Sequence, residues 1–460
     1  MVWGTAAALY AVAVINRSSL TALGPATQEH FGIPASTLAM FPVIQLLVYA
    51  AGQIPVGVLL DRFGASVMLL SGGVLMMLGQ IVMATVSEVS LAIIARVLVG
   101  AGDACTFISV MRLLPEWFPP SHLPSLGQAT ALIGQAGQLV SVTPLAFVVA
   151  GYGWATGFLG VVAVGLLLVL FGALVLRDAP GRRMVAERLL GRTGSTTARS
   201  ASFSPRPGAF VATAAPATGS IPVPARAGRN GRGGATGDGF LARMRVLLSI
   251  PGIRLSFWLH FASASSGHVF MLLWATPFLA GGLDMQPPAV KGLLSLAVVA
   301  GMASSLLLGP LSSRFAGHQA WLLWGISALI LVAWILLIAW PGVPPTWLVL
   351  VFVVIVPIGP PASMIGFDVV RKHSPGRYLG LATGFVNTGG FLAALIALLG
   401  IGIALDLQGA GTPETYSLVA FKAAFGAMVL PIVAFGLGMA LFEQRRTRRW
   451  VAARGADQIS

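Results

Sequence analysis

The chain has 460 residues, of which 56% are hydrophobic and only 9% charged, with a formal net charge of +14. So few polar groups cannot clothe the surface of a water-soluble globule of this length, which places the chain in a membrane. In a soluble protein the positive excess would suggest nucleic acid, but nearly all of it lies in one long loop, the short loops of the same side and the C-terminal tail, the positive-inside pattern of a membrane protein.

A single cysteine, Cys105, excludes an internal disulfide and any multi-cysteine metal site, and it lies within an apolar run as a small packing residue. The first apolar run lacks the charged leader of a cleavable signal peptide. Met1 stands almost at the start of that run, so the pattern is compatible with a start a few residues upstream.

In chain order, the first half gives membrane spans near 3–24, 39–60, 66–86, 91–111, 125–149 and 154–176. Each is close to the ~20 residues a helix needs to cross ~30 Å of hydrocarbon. From Arg177 to Arg245 the composition changes to Arg, Gly, Pro, Ser, Thr and Ala, with twelve Arg against three acids, a local net of +9. Such a segment has almost nothing to bury and is expected to be a largely disordered cytoplasmic loop held near anionic lipid headgroups by its charge. Within it, Phe240 to Leu248 has the pattern of a short interfacial amphipathic helix leading into the next span. RNA binding is the alternative for a basic stretch, but aromatics are sparse among the arginines.

The second half gives spans near 253–280, 290–312, 320–340, 347–367, 378–403 and 417–441. The resulting domains are a six-helix bundle over 1–176, the basic loop over 177–245, a second six-helix bundle over 246–442 and a tail over 443–460. If the loop is cytoplasmic, so are Arg62, Arg112, Arg314, Arg371, Lys372, Arg377 and the tail with Arg445, Arg446, Arg448 and Arg449, while the opposite side keeps only Lys291 and Lys422. Both termini are then cytoplasmic in a multi-pass protein of the plasma membrane.

At the end of the second span, the run from Gly57 closes on Asp61, Arg62, Phe63 and Gly64, a charged pair and a glycine turn that must lie at a water interface. The stretch 309–316 repeats it, with Gly309, Arg314 and Phe315 in register with Gly57, Arg62 and Phe63. Two weakly similar copies, each closing the second span of a hydrophobic half, are what an internally duplicated transporter leaves in its sequence. The motif resembles the signature loop of the major facilitator superfamily, Gly-x-x-x-Asp-Arg-x-Gly followed by two basic residues, and departs from it at Ala65 and Ser66. That resemblance implies an all-α membrane protein, twelve transmembrane helices in two pseudo-symmetric six-helix bundles around a central site that opens alternately to either side. It also implies a conformational latch on the inner side, assigned here to Gly57, Asp61, Arg62, Gly64, Arg112 and Arg314. With the two loop cations absent, Asp61, Arg62, Asp103 and Arg112 are the local set for an inner charge network. The run from Gly384 to Gly390 is similar to the signature of nitrate porters, but neither 39–60 nor 292–312 holds the arginine of that subfamily. Val142, Thr143 and Pro144 lack the flanking glycines of drug exporters.

Charges inside the spans carry the functional reading, because a lipid-facing ion at that depth is costly. Arg17, in the first span, either grips an anion with two parallel hydrogen bonds or snorkels to the outer interface. In the fourth span Arg96 and Asp103 lie seven residues apart on one helical face, able to line one cavity. The Arg96-x-x-x-Gly100-x-Gly102 spacing looks like a second motif of the same superfamily, associated there with proton coupling. Asp103 is a candidate proton site or a member of a structural ion pair. His260 and His268, eight residues apart, sit too far along the axis to share one metal, and each could bind substrate, relay a proton or bond a neighbouring helix.

These features predict proton-coupled uptake of a small, anionic organic solute, with Arg17 as anion ligand, Asp103 or a histidine of the seventh span as the titrating group, and Arg96 near the same pathway. The alternative is drug or metabolite efflux by proton antiport on the same machinery. An intramembrane enzyme would need a nucleophile with its base or a metal set, and the sequence presents neither, so no catalytic residue and no cofactor are expected. The expected partners are a solute, a proton or other coupling ion and the lipid bilayer, with no nucleic acid, around a monomer.

Overall fold

In hydrocarbon only a helix satisfies every backbone N–H and C=O within its own segment, so unbroken apolar runs become helices. The structure, a computed structural model, describes residues 1–33, 35–182, 185 and 240–457, and among them there is no strand. The first half contributes α1 (Val2–Ala22), α2 (Ala35–Phe63), α3 (Ala65–Thr85), α4 (Val89–Trp117), α5 (123–152) and α6 (Trp154–Val175). The second contributes α7 (Pro251–Gly282), α8 (Pro287–Arg314), α9 (Gln319–Ala339), α10 (Thr346–His373), α11 (Gly376–Leu407) and α12 (Leu418–Asp457). Among the described residues nine helices are long and apolar enough to cross a membrane by length and composition, ten when the bent pair Phe240–Ser249 and Pro251–Gly282 counts as one. The other two of the twelve, α1 and α5, carry polar residues such as Asn16, Arg17, Gln135 and Gln138 that turn out to serve the interior.

Several spans change their winding where the sequence denies them a regular hydrogen bond. A five-residue π-turn, Ser141–Leu145, surrounds Pro144 in α5, and a 3-10 turn, Val356–Ile358, precedes Pro360 and Pro361 in α10. Proline lacks the N–H and crowds the preceding turn, so the backbone re-forms its ladder with a different period.

The described residues add detail at the domain edges. The predicted basic loop over 177–245 lies outside the described residues from 186 to 239, but its start is fixed: Leu176 is fully buried and the Asp178 carboxylate accepts the Ser66 N–H at 2.8 Å. Its end forms the helix Phe240–Ser249, which turns through 86° into α7. The tail expected over 443–460 is not a separate piece, because α12 continues as helix through Asp457. There Glu443 is buried and clamped by Arg254 of α7 at 2.8 and 2.9 Å. An apolar pattern stops at the membrane surface, whereas a helix stops only where its backbone loses partners.

The halves are joined on the face that carries the termini and separate on the other. One hydrophobic cluster on the terminal face takes side chains from both halves, among them Leu60 and Leu114 with Phe367, Val370 and Leu381. Toward the opposite face the buried clusters divide, one built on α1 to α6, the other on α7 to α12. Glycines allow the close crossings. A Cβ on Gly57 would lie 2.8 Å from the Gly380 carbonyl oxygen of α11, and one on Gly309 would lie 2.9 Å from Ser125 Cα of α5. The two glycines in register in the sequence repeat thus pave the two equivalent crossings between halves. Gly64 meets a different need: its φ of +89° lies in the left-handed region, and the Asp178 carboxylate fills the space a side chain would take.

At Gly384 a Cβ would lie 2.2 Å from the Gln53 carbonyl oxygen, whereas nothing lies within 4 Å of one at Gly325. Gly384→Ala is therefore expected to cost roughly 1–3 kcal/mol through overpacking, and Gly325→Ala to be neutral or slightly stabilising. Thermal unfolding of both variants in detergent, beside the wild type, checks the contrast.

Candidate functional site

Between the halves, beyond the closed terminal face, lies a cavity of about 600 Å³ lined by residues of α1, α2, α4, α5, α7, α8, α10 and α11. Antiparallel spans place its α8 wall, Leu294 to Met302, in the half of the bundle away from the termini.

Arg17 is the ionised anchor of this cavity. Its Nε and Nη2 donate to the two Asp103 oxygens at 2.6 and 2.8 Å, a bidentate fork, and its guanidinium lies 4.6 Å over the Tyr49 ring. The Asp103 side chain has no exposure, while Arg17 keeps 25% of its side chain exposed and lines the cavity. This corrects two expectations. Arg17 does not snorkel to an interface, because Asp103 supplies its partner inside the protein. Asp103 belongs to no inner-side charge network, because Arg17 already occupies both of its oxygens.

Arg96 and Asp103 do not line one cavity. Arg96 is fully buried, donating to the Asn16 carbonyl, Gln45 Oε1 and Gln80 Oε1, each at 3.2 Å, while Gln80 Nε2 donates to Asn16 Oδ1 at 2.7 Å. Four helices thus converge on one guanidinium through neutral oxygens, and none of the ion pairs among the described residues includes it. Sharing a helical face brought Arg96 and Asp103 to the same side of α4, but α1 separates their environments.

Both histidines reach the cavity. His260 turns Nδ1 to the Ser363 carbonyl at 3.2 Å and leaves Nε2 buried without a partner; His268 turns Nδ1 to the Ala264 carbonyl at 2.8 Å beside the Phe391 ring. In each case Nδ1 carries the hydrogen and Nε2 is free to accept.

The charged latch residues form no ion pair with one another among the described residues. Asp61 accepts the Gly380 and Leu381 N–H groups at 2.8 and 2.9 Å, capping the first turn of α11, where a negative charge is favoured. Arg62 lies over the Phe63 ring, and Arg112 pairs with Glu116 one turn along its own helix at 2.6 Å. The expected network of Asp61, Arg62, Asp103 and Arg112 is therefore not formed; a helix end replaces the missing cations as the partner of Asp61. Arg314 is exposed at the end of α8, where Ser313, in register with Asp61, reaches the Ser121 carbonyl at 3.4 Å.

Sequence reasoning missed the residues that tie the halves together around the cavity. Asn387 Nδ2 donates to the Tyr49 hydroxyl at 3.1 Å and to Gln53 Oε1 at 2.8 Å, Gln128 Nε2 to the Pro361 carbonyl at 2.8 Å, and Gln135 Nε2 to Ser305 Oγ at 2.9 Å. Tyr49 and Gln53, four residues apart in an otherwise apolar span, were the available signal for a shared inward face.

Two helical bundles closed at one end thus enclose a central cavity with a buried ion pair at its wall. The chain matches the family model of the Major Facilitator Superfamily over residues 6–398 and belongs to that family. Curated relatives include an uncharacterised transporter, YybO, of Bacillus subtilis, 29% identical over 37% of this chain and 40% of that one. A probable sulfoacetate transporter, SauU, of Cupriavidus necator is 24% identical over 41% and 44%, and a probable L-galactonate transporter of Escherichia coli 27% identical over 42% and 43%. The chain thus spans about two fifths of the length of the curated relatives it matches. Among solved structures, the superfamily transporter FucP in its outward conformation superposes with a TM-score of 0.64 at 14% identity, covering 96% of this chain and 98% of that one, a likeness of fold. The protein is a multi-pass membrane protein of that superfamily.

Truncating Arg17 leaves Asp103 buried without its counter-ion. Arg17→Ala is expected to lower stability by roughly 3–5 kcal/mol, and the double variant Arg17→Ala, Asp103→Ala by distinctly less. Melting curves of the three proteins and the wild type close the cycle.

Proposed function

We propose that the protein couples the uptake of a small anionic organic solute to the entry of a proton, working as a monomer in the plasma membrane with both termini and the basic loop on the cytoplasmic side. The observation that carries this reading is the fork between Arg17 and Asp103 at the wall of the cavity. While Asp103 is ionised, it neutralises Arg17 and leaves the cavity with little attraction for an anion. Protonation of Asp103 from the open side releases the guanidinium, which then offers a solute carboxylate the same two-toothed geometry. The anion is favoured once the proton is present, and by linkage the proton once the anion is present.

Both bound, the halves rock so that the terminal face opens. That step must break the contacts of Asp61 with the start of α11 and the glycine crossings at Gly57 and Gly309. We assign Asp61, with Gly57 and Gly64, as the latch of the closed terminal face; Arg62, Arg112 and Arg314 border it. His260 and His268 belong to the wall of the site, and Arg96 to the packing of α1 to α4 that holds Asn16 and, next to it, Arg17. Two of the relatives above are named for organic acids, in keeping with an anion as solute.

In reconstituted vesicles, an inward proton gradient is expected to drive accumulation of the anion. Asp103→Asn, which mimics the protonated acid, should lose accumulation and keep exchange of labelled for unlabelled solute across the membrane. Arg17→Ala should lose both. Normal accumulation by Arg17→Ala would remove the anion-ligand assignment, and normal accumulation by Asp103→Asn the proton site.

A further inference from the structure

The wall of the cavity states more about the solute than its charge. The lining contributed by α7, α8 and α10 includes Met271, Leu272, Leu294, Val298, Met302 and Met364, none of which donates a side-chain hydrogen bond. Apart from Arg17, the polar groups around the cavity are neutral amides, hydroxyls and the two imidazoles, and Asn387 already spends its amide on Tyr49 and Gln53. The charge count is equally narrow. Arg17 carries one positive charge, and among the described residues lining the cavity only His260 and His268 could add another by taking up a proton. His260 would do so with a buried nitrogen that has no acceptor near it, beside the Phe367 ring.

A carboxylate placed without a cation in such a space loses its hydration and regains little, and hydroxyl groups facing methionine and leucine lose hydrogen bonds to water that nothing replaces. One carboxylate can be held by the guanidinium that Asp103 releases; a second cannot. A body of aliphatic or aromatic carbon, in contrast, gains by leaving water, and polarizable methionines adapt to its outline.

We propose that the cavity takes organic acids with a single carboxylate and an apolar body, and that one proton enters with each acid, so that the cycle moves no net charge. The proposal rests on the anionic-solute reading above and narrows it. One proton from water on the open side adds to the Asp103 carboxylate, one acid anion docks on Arg17, and both leave on the other side, which returns the ion pair to its starting state.

The test compares phenylacetate, phenylsuccinate and gluconate, which share one or two carboxylates, a ring or a chain of hydroxyl groups. Phenylacetate is expected to raise the melting temperature of the purified full-length protein, with phenylsuccinate and gluconate binding at least about tenfold more weakly. Uptake of labelled phenylacetate into proteoliposomes, over protein-free vesicles, should follow the pH gradient and be unchanged by an imposed potassium diffusion potential. Arg17→Gln should lose the thermal response to phenylacetate. Should that variant fail to fold, Met302→Gln, which places a donor in the apolar wall, is expected to shift the preference toward gluconate. Binding of phenylsuccinate or gluconate as tight as that of phenylacetate, or uptake that follows the potential, overturns the proposal and leaves the anionic-solute reading standing. If none of the three acids stabilises the protein or is taken up, both fall together.

Discussion

Two opposite charges held away from water, Arg17 of α1 and Asp103 of α4, set the terms for the surrounding structure. Either alone would cost several kcal/mol at that depth, so the protein must bring both together and keep them there. Doing so fixes α1 against α4, and the Arg96 centre repeats the task two turns along α4 with neutral oxygens in place of a carboxylate. Asn16 links the two: its backbone oxygen and its side chain serve the Arg96 centre, and the next residue is Arg17. The ion pair is thereby held by a frame that does not itself face the cavity. The geometry of that frame belongs to the bundle, while Arg17 itself faces the cavity.

The second requirement is that two rigid halves meet closely enough to seal one face yet remain separable. Backbone-to-backbone crossings at glycine supply the first property. The small number of polar contacts beside those crossings supplies the second, since van der Waals contact and a few hydrogen bonds can be given up and re-formed as the halves move. Asp61 adds a directional element, because a carboxylate facing the start of α11 binds only while that helix end is in place.

Much of the architecture was legible because membrane spans announce themselves. Runs of apolar residues near the required length, the duplicated stretch at Gly57 and Gly309, and the asymmetry of Arg and Lys each follow from the bilayer as solvent. What escaped was pairing across helices. Arg17 and Asp103 are 86 residues apart, and nothing in the local pattern of either declares the other. The same holds for Asp61, whose partner is the backbone of α11, a group every residue has and no sequence pattern marks. The contacts at the domain edges were out of reach for a related reason. Hydropathy reports where hydrocarbon ends, whereas the helix of α12 and the fixed start of the loop at Asp178 are decided by contacts beyond it.

That fixed start has a practical side. Because the Asp178 carboxylate sits in the space beside Gly64 and holds the first turn of α3, the opening residues of the connecting loop are part of the first bundle's foundations. A graft, protease site or split point placed downstream of residue 178 leaves that footing whole. The same alteration a few positions earlier takes the keystone out of the turn that joins α2 to α3.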